Sequence, residues 1–142
     1  MEVVQTKQAI IMDTNPQAGY TVDHWDGDYP VQMKRPLAAL LMAPEFQDVV
    51  VSGDKTITIR EGWRDYKVDE KVVLCHTNET DLGWAVMGRI TQVSRHLLKD
   101  VALQDFHDDG MLSVEDAIKT LGRFYEGING DSLVTVIRWR LL

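Results

Sequence analysis

Gly53-Asp54-Lys55-Thr56-Ile57-Thr58-Ile59-Arg60 is the stretch that decides the fold, because at Thr56 the apolar spacing changes from helical to alternating. Ile57 and Ile59 point one way, while Thr56, Thr58 and Arg60 point the other, as in a half-buried strand whose apolar side faces the core. Just upstream, Phe46, Val49 and Val50 share one helical face, and Gly53 stands where a left-handed residue closes a helix. A helix that stops at a glycine and leads into a strand sets Lys55 at the turn, with two hydroxyls and a guanidinium along one strand face. Such a face suits a carbonyl-rich or anionic small molecule, although Thr, Lys and Arg also compose an ordinary solvated strand face. On a regular strand, residues three apart point to opposite faces. Lys55 and Thr58 therefore meet only if Lys55 lies in a turn or bulge ahead of the strand.

Working outward, Pro36 suits the first turn of a helix carrying Leu37, Ala38, Leu40 and Leu41, and Pro44 breaks it, which predicts two helical pieces before Gly53. Downstream, Lys71 to Thr77 and Trp84 to Val93 read as strands joined at Asp81-Leu82-Gly83, and Leu133 to Leu142 reads as a closing strand. Between them lie a short helix over Leu97 to Phe106 and a clearer one over Ser113 to Phe124. In the latter Ser113 caps, Glu115 and Asp116 suit the positive N-terminal end, and Val114, Ala117, Ile118 and Leu121 form a core stripe. Residues 1–36 carry turn chemistry at Asn15-Pro16, Ala18-Gly19 and Asp26-Gly27-Asp28, with Ile10-Ile11-Met12 as a candidate strand. They read as an N-terminal extension whose Tyr20, Trp25 and Tyr29 dock on the main domain, residues 37–142.

At 142 residues and 44% apolar, the chain supports one core. Fifteen Lys and Arg against 22 Asp and Glu leave a charge of −7, which excludes a general polyanion-coating surface, so any nucleic acid must be met locally. The single cysteine, Cys75, excludes an internal disulfide and reads as a buried strand residue, consistent with a reducing compartment. No apolar run approaches a membrane span, and Met1 to Ile11 lack a signal-peptide pattern, so the expectation is a soluble, cytoplasmic protein with no membrane partner. His24, His76, His96 and His107 fall in no ligand spacing, and no metal or cofactor is expected.

The residues Phe46-Gln47-Asp48, Ser52 to Arg60, Val68 to Val73 and Val134-Thr135-Val136-Ile137-Arg138-Trp139 resemble an ASCH domain over approximately residues 37–142. The resemblance implies an α+β, mainly β fold: a PUA-like small mixed β-barrel with flanking α-helices. Within that superfamily the order of helix, glycine turn and Lys-Thr-Ile-Thr-Ile-Arg strand is most similar to the small bacterial N4-acetylcytidine amidohydrolases. Their catalytic Lys and Thr fall on Lys55 and Thr58. Their glutamate falls near His107-Asp108-Asp109-Gly110-Met111, where Asp109 is the first candidate and Asp108 and Glu115 are rivals.

The activity so implied is metal-independent deacylation of N4-acetylcytidine or a related acylated nucleoside, with Thr58 as nucleophile, the acid tuning the lysine, and Lys55 either as base or, if it stays charged, as an oxyanion stabiliser. Thr56, Arg60 and Trp63 are the candidate substrate contacts, with Trp63 preferred over Trp84, Phe106 and Tyr125 as a stacking surface. The alternative is a non-catalytic ASCH or PUA-like module that binds RNA or modified nucleotides, or a ribonuclease. A protein-interaction domain is the third reading, and no residue pattern fixes an oligomeric state.

Overall fold

The computed structural model describes residues 38–76 and 83–142. The N-terminal extension, with Tyr20, Trp25 and Tyr29, lies outside the described residues, as do Asp81 and Leu82 of the expected turn.

The run Ala38–Leu41 is a strand, β1, and not the expected helix. It pairs parallel with β3, Lys71–His76, placing Ala38 opposite Val72 and Leu41 opposite Cys75. A parallel strand covered on both faces reads as an unbroken apolar run without alternation, and here Leu40, Val72, Leu74 and Cys75 are fully buried. Pro44 then opens a single 3-10 turn, Pro44–Phe46, which leads into α1, Gln47–Ser52. Gly53 closes α1 in the left-handed region at φ 87°, a conformation that glycine adopts without a Cβ penalty.

The remaining elements are β2, Ile57–Glu61; β4, Trp84–Leu97; a 3-10 turn, Leu98–Asp100; α2, Leu103–Asp108; α3, Val114–Leu121; and β5, Leu133–Leu141. The strand order is β1-β3-β4-β5-β2 in a mixed five-stranded sheet. With few and short helices, the chain is mainly β within an α+β class.

The described chain groups into two compact units, and β4 runs through both. One unit holds β1, α1, β3 and the first part of β4, where β3 pairs antiparallel with β4 from Lys71 opposite Arg89 to His76 opposite Trp84. The other comprises residues 55–68 and 90–139. In it β2 pairs antiparallel with β5, from Ile57 opposite Arg138 to Glu61 opposite Val134. Its core joins Ile57, Ile59, Val134 and Val136 from the strands to Phe106, Met111, Ala117 and Leu121 from the helical stretch. The α3 stripe behaves as its spacing indicated: Ala117 and Leu121 are buried, and Val114 and Ile118 pack against the same core. Ser113 caps α3, its Oγ accepting from the Asp116 backbone N–H at 3.1 Å.

The other face of β2 departs from the half-buried expectation. Thr58 and Arg60 are 7% and 9% exposed, nearly as buried as Ile57 and Ile59. Their cross-strand neighbours explain it, since Thr58 lies opposite Ile137 and Arg60 opposite Thr135, both fully buried. Residues paired across an antiparallel ladder share a face, so the polar side of β2 is interior as well.

Candidate functional site

Lys55 does not belong to β2, which begins two residues later at Ile57. That placement satisfies the condition set by strand geometry, because an amine ahead of the strand is free of the alternation that separates residues three apart. Its Nζ donates to the Ile57 carbonyl at 2.7 Å and makes a buried ion pair with Oδ1 of Asp109, 54 residues away in sequence. The two side chains are 12% and 8% exposed.

Asp109 is fixed by the way α2 ends. Gly110 takes φ 83° and donates to His107 O at 3.0 Å, while the Met111 N–H returns to Phe106 O at 2.8 Å. This double closure is the Schellman arrangement, and it is reinforced by the two apolar side chains it brings together, Phe106 and Met111, both in the core. The sequence His107-Asp108-Asp109-Gly110-Met111 is thus a helix stop that aims one carboxylate at the foot of β2.

The backbone register shows what that carboxylate meets. Thr56 O accepts from Trp139 N at 3.0 Å and Gly62 N donates to Leu133 O at 2.7 Å, so the even-numbered residues of β2 direct their backbone groups at β5. Ile57, Ile59 and Glu61 direct theirs away from it, at the end of the strand order. Lys55 takes the outward carbonyl of Ile57, and the Ile59 backbone N–H reaches the Asp109 carboxylate. The ion pair therefore also closes two backbone groups that a terminal strand would leave unpaired.

Burial pushes the Asp109 carboxyl above its ordinary range, against the opposing pull of the Lys55 and Arg60 charges and the Ile59 N–H. Desolvation disfavours the charged form of a carboxyl, and here it outweighs the neighbouring cations. The rival acids stand elsewhere. Asp108 accepts from Arg138 at 2.8 Å and from Gln104 at 2.7 Å, and Arg138 holds its carboxyl below the usual range. Glu115 is an exposed first-turn residue of α3.

Of the other candidate residues, Thr58 accepts a hydrogen bond from Arg60 Nε at 3.2 Å. Thr56 is half-buried and engages β5 through its carbonyl. Trp63 is 62% exposed and follows the far end of β2, with its ring under the Arg95 guanidinium at 4.4 Å from the centroid. Since β2 spans roughly 13 Å at a rise of about 3.3 Å per residue, Trp63 does not stand beside Lys55. Phe106, an alternative stacking candidate, is a core residue at 1% exposure, and Tyr125 packs against the same core.

Arg95 and Arg138 do not stand out in the sequence. Each acquires its role through partners about 30 residues away: Arg95 donates to Arg64 O at 2.6 Å, and Arg138 binds Asp105 at 2.5 Å as well as Asp108. The local alternation of β4 and β5 carries no signal for either. Among the described residues no group of three or more His, Cys, Asp or Glu gathers to hold a metal ion, and no helix is long and apolar enough to cross a membrane. Cys75 is buried in β3, as its sequence context indicated.

No protein-family model and no curated protein matches the chain. Solved structures do. A DUF984-family protein from Enterococcus faecalis is 13% identical with a TM-score of 0.53, over 91% of this chain and 93% of its own. An ASCH domain from Lactobacillus crispatus is 14% identical with a TM-score of 0.53, over 84% of this chain and 90% of its own. An ASCH protein from Zymomonas mobilis is 16% identical with a TM-score of 0.50, over 73% of this chain and 65% of its own. The chain has the fold of these structures, ASCH domains among them, as the resemblance over residues 37–142 implied.

Proposed function

We propose that this protein is a metal-independent amidohydrolase that removes the acetyl group from N4-acetylcytidine or a related acylated nucleoside. The observation that carries the reading is the buried Lys55–Asp109 pair at the foot of the strand bearing Thr58. In this reading Thr58 Oγ attacks the acetyl carbonyl carbon while Lys55 takes the hydroxyl proton. The carbon–nitrogen bond then breaks, the proton passes to the departing exocyclic nitrogen, and an acetyl ester remains on Thr58. Water attacks that ester while Lys55 takes its proton, the bond from the acyl carbon to Thr58 Oγ breaks, the proton returns to that oxygen, and acetate is released.

A lysine must be neutral to act as a base, and an isolated amine at neutral pH is not. The carboxyl in direct contact with that amine is Asp109, which burial pushes above its ordinary range in a largely desolvated site. The test is to incubate the protein with N4-acetylcytidine and follow cytidine by chromatography. Thr58→Val and Lys55→Met are each expected to lower turnover by at least about 100-fold. No cytidine from the wild type, under conditions where a known amidohydrolase works, would remove the proposal.

A second reading draws on the exposed Trp63 ring and its Arg95 partner, which together resemble a surface for stacking a nucleobase. A module that binds single-stranded RNA would lose affinity on Trp63→Ala while tolerating Thr58→Val. The reverse pattern favours the hydrolase.

A further inference from the structure

We infer that Arg60 is a positioning residue that holds the Thr58 hydroxyl ready for attack, and not a substrate contact as its place on the strand face first indicated. The inference rests on the hydrolase reading and adds a residue to it. An arginine Nε carries a hydrogen and has no lone pair to offer, so in the 3.2 Å contact Thr58 Oγ is the acceptor. A threonine hydroxyl that accepts from one side cannot point its own proton there. That proton is left to be given to another group, as a nucleophile requires. The same guanidinium sets a permanent positive charge beside the oxygen on which negative charge develops as the proton leaves.

The contact is held by its surroundings. Thr58 and Arg60 are two residues apart on one strand and so share a face, and both are largely withdrawn from solvent. Across the ladder they meet Ile137 and Thr135, which are fully buried. The charge of Arg60 also pulls the Asp109 carboxyl down, against burial, so one cation acts on both Thr58 and Asp109. A surface arginine free to follow a substrate would show none of these constraints.

The test uses p-nitrophenyl acetate, an activated acyl donor, with the acetylated peptide identified by mass spectrometry between about pH 6 and pH 10. In the labelling step Thr58 Oγ bonds to the acyl carbon, p-nitrophenolate departs with the electron pair of the broken bond, and the hydroxyl proton goes to the base. Arg60→Gln removes the charge and Arg60→Lys keeps it without Nε. Labelling of Thr58 is expected to slow by about 100-fold in Arg60→Gln and by at least about 10-fold in Arg60→Lys. The pH of half-maximal labelling should rise by about one unit in Arg60→Gln and by less in Arg60→Lys, because a lost cation makes the proton harder to remove. A purely structural disturbance lowers the amplitude and leaves that midpoint in place, so an unmoved midpoint in the folded variants overturns the positioning role. Arg60→Lys, which keeps the buried charge, decides the matter if Arg60→Gln fails to fold. Labelling at Thr58 that is absent even in the wild type overturns the hydrolase reading and the positioning role together.

Discussion

Asp109 answers to three demands: a helix end that fixes its backbone, a lysine that asks for its charge, and an interior that resists charge. The interior prevails, and the sign of its effect on stability follows. A carboxyl whose affinity for protons is raised on folding binds more protons in the folded state than in the unfolded one, so stability falls as pH rises. The contribution is fully present below the ordinary aspartate pKa and is lost as pH climbs through the raised folded value. Asp109→Asn, neutral throughout, lacks that term. Urea unfolding of both proteins between about pH 3 and pH 7 should show the wild type losing stability relative to Asp109→Asn as pH increases. The opposite slope would mean that attraction to Lys55 outweighs desolvation. Turnover should fall in Asp109→Asn, because the variant lacks the carboxylate that pairs with the Lys55 amine.

Elements differ in how much of their own fate they encode. The third helix is nearly self-specifying, with Ser113 capping the Asp116 N–H and the Asp116 carboxylate returning to the Leu112 N–H at 2.8 Å. Ser113→Ala should therefore cost about 1 kcal/mol and lower the melting temperature by several degrees without changing activity, as read by calorimetry and the deacetylation assay. The same locality made Gly53, β2, β3 and β5 legible from periodicity and turn chemistry alone. β1 was not legible, because Ala38 to Leu41 has no period of its own and is made a strand by Val72 to Cys75, more than 30 residues on. The buried polar face of β2 was hidden for the same reason, since Thr135 and Ile137 decide it from another strand. In the candidate site, Lys55 and Thr58 were visible as a motif. The convergence of Asp109 on Lys55 depends on a helix stop 54 residues away, and spacing within β2 carries no information about it.

At the scale of the molecule, the candidate nucleophile, amine and acid all belong to the unit of residues 55–68 and 90–139. Charge then separates the substrate classes. With 22 acidic against 15 basic residues, the average field disfavours a phosphate backbone, whereas a neutral nucleoside is indifferent to it. Binding that neutralises phosphates releases counterions and weakens steeply with salt, by roughly 0.7 logarithmic units per phosphate contact for each tenfold rise in salt on single strands. For N4-acetylcytidine, kcat/KM should stay within about twofold between about 50 and 500 mM NaCl, since no phosphate takes part. An acetylated oligonucleotide turned over faster than the nucleoside at low salt, and losing that advantage as salt rises, would show that the site meets its base within a strand of RNA. Rates that are flat for the nucleoside and low for the oligonucleotide at every salt concentration would instead follow from an acidic protein whose few buried cations, Lys55 and Arg60 among them, are already committed to neighbours within the fold.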